Sequence, residues 1–222
     1  MEPRITEIKK EHARRLLEIV DAGLVEGVGK PELGEMCVMA AINYLFDMPH
    51  GDADYGCTAP VVRALDIAIN DLPWSSPSAR AKGMRREAVA KLGSIEIDDV
   101  KYMGLIALGV VNRILPPVLR AVGLDANATE CEQAKDLTAA ATASRAVAAA
   151  SRAVAAASRA DAASWAAVAA SWAANTASRA AARDEIYTTL CDISTEALIA
   201  CESQGAQWLD LCAVTGPEAI GG

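Results

Sequence analysis

Branched and aromatic side chains recur along one stretch of the chain at a spacing that predicts a single helical face. Residues 143–184 are written in sevens: ASRAVAA, ASRAVAA, ASRADAA, SWAAVAA, SWAANTA, SRAAARD. At 100° per residue, Val147, Val154, Trp165 and Trp172 fall within about 20° of one another. Ile186, Leu190, Ala197 and Cys201 continue that sector, and Arg145, Arg152 and Arg159 lie opposite. Alanine is the strongest helix former, and between Pro117 and Gly205 the only Gly or Pro is Gly123. The pattern predicts one long helix from about Glu130 to Glu202, capped by Asp125, Asn127 or Thr129 and closed by Gly205. Its methyl-clad surface is too small-featured to build a core alone. A neighbour is therefore expected to cover the Val/Trp sector, and small side chains favour a second copy, because they let helix axes approach closely.

Upstream, the same reading predicts a series of shorter helices. Thr6–Ala22 places Ile8, Leu16, Ile19 and Val20 among charged residues. A second helix is expected over 31–46, opened by Pro31. Residues 47–57 are a loop by their Pro, Gly and Asp content. Thr58 and Pro60 open a third helix to Asn70, and Ser76 with Pro77 a fourth to Leu92. Asp98–Leu115 is an apolar fifth, stopped by Pro116-Pro117, and a short sixth ends at Gly123. Ser94–Ile97 alternates for only four residues, too few for a strand. The expected fold is all-α: a helical head domain, 1–124, followed by a long Ala-rich arm, 125–222, with a short apolar tail at Trp208–Cys212.

Composition sharpens this picture. The 222 residues include one Phe, four Trp and four Tyr, and the 52% hydrophobic content is largely alanine. The net charge of −8 argues against nucleic acid as a partner for the whole surface. The charge is uneven: from Ala143 to Arg183 five Arg face one Asp, a net of +4 that leaves −12 on the remainder. Such a row can meet an anionic partner or simply keep an alanine helix in solution. The opening MEPRITEIKKEHARR is charged from its second residue and predicts no signal peptide. No run of about 18 uncharged apolar residues is present, so no membrane association is expected. The expected location is cytoplasmic, with the six cysteines mostly reduced.

The loop offers candidate chemistry. Cys37, His50 and Cys57, with Asp52 and Asp54 nearby, carry the thiolate and imidazole donors that zinc prefers, although C-x12-H-x6-C is not a finger spacing. The plainer reading is a packed cysteine and a polar turn. His50 with either cysteine could also form a base–nucleophile pair, but nothing in the spacing supplies an orienting group. Arg80, Lys82, Arg85 and Arg86 form a basic cluster on the fourth helix, suited to phosphate or to a solvated, acid-paired surface. His12 is expected to be exposed.

Cys37, Pro49, Asp52, Cys57, Asn70 and Asp71, together with the GAQWLDLC tail, resemble the frame of an uncharacterised family of bacterial and phage proteins. That frame is a Cys, a Pro–Asp loop, a second Cys and an Asn-Asp pair, with an Ala-rich stretch before the tail. The resemblance implies no activity. The Ala/Trp repeat is also similar in composition to proteins described as immunity proteins. The expected function is therefore a non-catalytic, self-associating helical binding or inhibitor protein, set in phage–host conflict by the resemblance. The alternatives are a zinc-binding helical enzyme or sensor centred on Cys37, His50 and Cys57, and an oligomeric small-anion sponge built from the arginine row.

Overall fold

The computed structural model describes residues 5 and 7–213, apart from 54, 122, 144 and 146–179. The fold is all-α, and no strand forms among the described residues; a single antiparallel bridge joins Gly29 to Met36. The helices are α1 (Lys10–Asp21), α2 (Val38–Leu45), α3 (Pro60–Asn70), α4 (Pro77–Ala90), α5 (Asp99–Gly109), α6 (Leu115–Ala121), α7 (Asp125–Gln133) and α8 (Ala180–Ala200). A 3-10 segment, Gln204–Ala213, follows α8.

Local chemistry explains most helix starts. Ser76 Oγ accepts the Ala79 amide and Pro77 fills the first turn of α4. Asp98 caps α5 through the Lys101 amide. Pro60 opens α3, but the cap position is Ala59, whose amide is bound by Ser94 Oγ from a distant turn. Alternating Ser94–Ile97 forms a one-turn 3-10 helix at Ser94–Glu96.

Three expected helix boundaries are overturned. Residues 31–37 are not helical, because they fold back as a loop. Lys30 donates to Glu35 O, Val25 to Met36 O and Cys37 to Val28 O. Gly29, at φ 71°, permits this: a Cβ there would lie 1.9 Å from Glu35 O. Pro116-Pro117 do not stop the helical run. A π-helical turn at Val110–Ile114 precedes them and places both prolines in the first turn of α6, where an amide hydrogen is not required. Among the described residues, Asp99–Ala121 is the one run long and apolar enough to cross a membrane by length and composition. In this fold its Tyr102, Ile106, Val110 and Ile114 enter the core.

The third correction concerns the long helix. It does not run on from Glu130, because α7 stops at Gln133 and Ala134 is extended, with ψ 118°. Asn112 of the π turn causes the stop. Its Nδ2 donates to Cys131 O, Glu132 O and Ala134 O, capturing the carbonyls that a continuing helix would use. The chain turns helical again over 137–143, capped by Asp136 Oδ1 on the Ala139 amide. Val111, Leu119, Ala128, Cys131, Ala134, Ala140 and Ala143 form a small core of their own.

The larger core joins both ends of the chain. Leu16, Val20, Met39, Ile42, Met84 and Leu92 pack with Tyr187, Leu190, Cys191, Ile193 and Leu198 of α8. The boundary expected at 124 therefore does not separate a head from an independent arm, since α8 packs along α4 and α5 as part of the head. Its end is set by Glu202, at φ 59°, rather than by Gly205. Gly205 serves close approach instead. Its amide donates to Leu92 O at 2.7 Å, and a Cβ would sit 2.0 Å from Val89 O.

Candidate functional site

Four residues of the Cys/Pro–Asp/Cys/Asn-Asp frame come together where the start of α2 meets the end of α3. Cys37, Asp52, Asn70 and Asp71 line a cleft of about 200 Å³, with Val28, Val38, Met39 and Ile67 as apolar walls. Each polar residue has a structural task. Cys37 Sγ accepts the Ala40 amide at 3.3 Å and so caps α2. Asn70 Oδ1 accepts the Val38 amide, and its Nδ2 donates to Val25 O at 2.9 Å and to Asp71 Oδ1. Asp71 Oδ1 also accepts the Gly27 amide at 2.9 Å. The Asp52 carbonyl and carboxylate both face Arg63 of α3. The Asn-Asp pair thus ties three segments together, beyond its expected role as a helix end.

The proposed metal trio is not assembled. His50 Nε2 pairs with Gly29 O at 3.1 Å, while Cys57 Sγ accepts the Gly93 amide on the far side of α3's first turn. Among the described residues no group of three or more His, Cys, Asp or Glu is placed to hold a metal; Asp54 lies outside them. A base–nucleophile pair is equally unsupported. Burial pushes the Cys37 thiol up, outweighing the Ala40 and Met39 amides that favour its thiolate. A reactive cysteine needs the opposite shift. No disulfide joins the six cysteines, and Cys37, Cys57, Cys131 and Cys191 are buried.

Two of the four basic residues on α4, Arg80 and Arg85, are used internally, while Lys82 and Arg86 are exposed. Arg80, buried, donates to Asn70 O at 2.7 Å, Leu24 O at 3.0 Å and Leu72 O. Arg85 pairs with Asp21 of α1 at 2.6 Å and donates to Cys212 O at 2.7 Å, clamping the final segment to the body. Arg86 lies 3.6 Å from Asp192 of α8. His12 is half-buried rather than exposed. It accepts the Lys9 amide and meets Phe46 edge-on at 5.1 Å between ring centroids.

Of the expected interface residues, Val147, Val154, Trp165, Trp172, Arg152 and Arg159 lie outside the described residues. Arg145 is exposed, and its Nε donates to Ala141 O. Leu190 is fully buried and Ile186 half-buried against the same core. Leu190 is covered by the protein's own helices, and Ile186 is covered by them in part. Of the α8 sector, Leu190 and Ala197 are buried and Ile186 is half-buried, while Tyr187, Cys191, Ser194 and Leu198, outside that sector, are fully buried; periodicity carries no information on what covers a face.

The described core also holds a fully buried polar set that the sequence reading did not single out. Asp66 of α3 and Glu87 of α4 flank Lys91, and Tyr102 Oη lies 2.8 Å from Ser194 Oγ beside them. Glu87 and Lys91, four apart, were readable as a helical pair. Asp66 joins them only through packing. No protein family, curated protein or solved structure matches this chain.

Proposed function

We propose that this is a non-catalytic helical protein that binds further copies of itself through the Ala-rich repeat and acts by binding or inhibition. The observation that carries this reading is the anchoring of the chain on both sides of the repeat. On one side Ala140 and Ala143 pack in the smaller core; on the other Tyr187, Leu190 and Ile193 pack in the larger one. Between them the sequence keeps Val147, Val154, Trp165 and Trp172 in one angular sector. With Ile186 and Leu190 assigned to the protein's own core, the self-association surface narrows to those four residues. Trp residues on a helix face are frequent anchors of interfaces. The engagement of Cys37, His50 and Cys57 with backbone partners supports a binding role over turnover. The setting, conflict between phage and host, rests on the likeness of the Cys/Pro–Asp/Cys/Asn-Asp frame.

Light scattering on the full chain tests this reading. The wild-type protein is expected at a multiple of 23.2 kDa, and Trp165→Asp at a lower multiple with unchanged helicity. A wild-type monomer, or a variant of identical mass, would overturn it.

A further inference from the structure

Asp66, Glu87 and Lys91 are each without measurable solvent exposure. Lys91 Nζ lies 2.6 Å from Asp66 Oδ2 and 3.4 Å from Glu87 Oε2. One ammonium therefore faces two carboxyl groups in a site sealed by α3, α4, α5 and α8. An ion withdrawn from water costs several kcal/mol unless an opposite charge and hydrogen bonds compensate it. Lys91 compensates one negative charge, and a second would stand unmatched. The oxygens make the same point, since Asp66 Oδ1 and Glu87 Oε1 are buried without a hydrogen-bond donor. Both carboxyl groups lie against the same Lys91 Nζ, and two ionised carboxylates, being acceptors only, could offer each other no hydrogen.

We propose that Asp66 and Glu87 hold one proton between them, carried by Glu87, so that the triad is a neutral unit completed only when the folding chain takes that proton from solvent. Lys91 Nζ is nearer to Asp66 than to Glu87, which leaves Glu87 as the carboxyl that carries the hydrogen. Burial, and then the charge of Asp66, push Glu87 well above the usual carboxyl range. Burial opposes the charge on Lys91, but Asp66 and Glu87 outweigh it and hold the ammonium above its ordinary value. The other groups facing the triad stay neutral. From α5 this is Tyr102, raised by burial and then by Asp66 and Glu87. From α8 it is Cys191, raised well above its usual value by burial and then by the same carboxylates. From the start of α2 it is Cys37, raised by burial.

The consequence is a pH-sensitive clasp. In the unfolded chain Glu87 ionises near pH ~4.3, so folding at neutral pH takes up a proton. A carboxyl raised in the folded state contributes stability that is complete below its unfolded value and is lost as pH climbs toward its folded value. Through that window the folding equilibrium constant falls by up to about tenfold per pH unit. The triad joins α3 to α4, and α8 packs along α4. Deprotonation therefore acts on the anchorage of the repeat.

Urea denaturation of the full chain at a series of pH values tests the clasp, with Glu87→Gln beside the wild type. The amide is likewise uncharged but has no proton to lose. The ratio of the variant's folding constant to that of the wild type is expected to rise steadily from pH ~5 upward, by as much as about tenfold per unit. A ratio that stays flat overturns the proposal. Should the variant not fold, infrared spectroscopy of the wild type decides. A protonated carboxyl C=O band is expected in the folded protein at neutral pH, and its absence overturns the proposal.

Discussion

Single residues carry unequal weight in this fold, and the weight follows burial rather than chemical type. Ser76, Asp98 and Asp136 are interchangeable in kind with many surface residues, yet each satisfies an amide that opens a helix. Lys91 is the extreme case, because its ammonium is the only cation against the buried Asp66 carboxylate at 2.6 Å among the described ion pairs. Lys91→Met is expected to destabilise the protein by about 3–5 kcal/mol, the range for removing one partner of a buried ion pair. Urea denaturation at neutral pH measures it, and a loss below about 1 kcal/mol would show the pair to be dispensable. Replacing all three members with apolar residues of similar volume should recover much of that loss, since no unmatched charge is left behind. The serine and aspartate caps at 76 and 98 were legible from spacing alone. Asp136 carried the same signal, an N-cap residue at the start of an apolar run, but the alanine content on both sides masked it.

At the scale of elements, propensity set where helices are possible and side-chain traffic between them set where they end. The lack of Gly and Pro from 124 to 204 and the alanine-rich composition from 139 onward favour continuous helix. Asn112 defeats it by taking the carbonyls of Cys131, Glu132 and Ala134. Asn112→Ala is expected to cost about 0.5–1.5 kcal/mol, the net worth of a partly solvated hydrogen bond, and to speed amide exchange in 137–143. Unchanged protection there would remove the assigned role from Asn112. The loop at 31–37 has the same logic. Its residues are compatible with helix, but Gly29 and Gly34, both at positive φ, let the backbone pair with itself instead. The prolines at 116 and 117 were read as a stop because Pro lacks an amide hydrogen. The π turn before them shifts the register so that the missing hydrogens fall in a first turn.

At the scale of the molecule, the chain's final third closes the core that its first third begins. Gln204 Oε1 accepts the Ile8 amide, Trp208 Nε1 donates to Ile8 O, and Arg85 holds Cys212 O. Leu190 belongs to this closure, so Leu190→Ala is expected to lower stability by about 2–5 kcal/mol while leaving the mass in solution unchanged. Trp165→Asp should do the reverse, and a drop in mass for Leu190→Ala would return that residue to the interface. The sequence by itself determined that the protein is helical and where α3, α4 and α5 begin. Those features depend on periodicity, capping and proline, which act within a few residues. The tertiary structure alone decided that α8 buries its face against α4 and α5, that Asn112 ends α7, that Cys37, His50 and Cys57 part company, and that Asp66 meets Lys91. Each of these requires groups far apart in the chain to approach within a few ångströms, and no local rule of spacing encodes that approach.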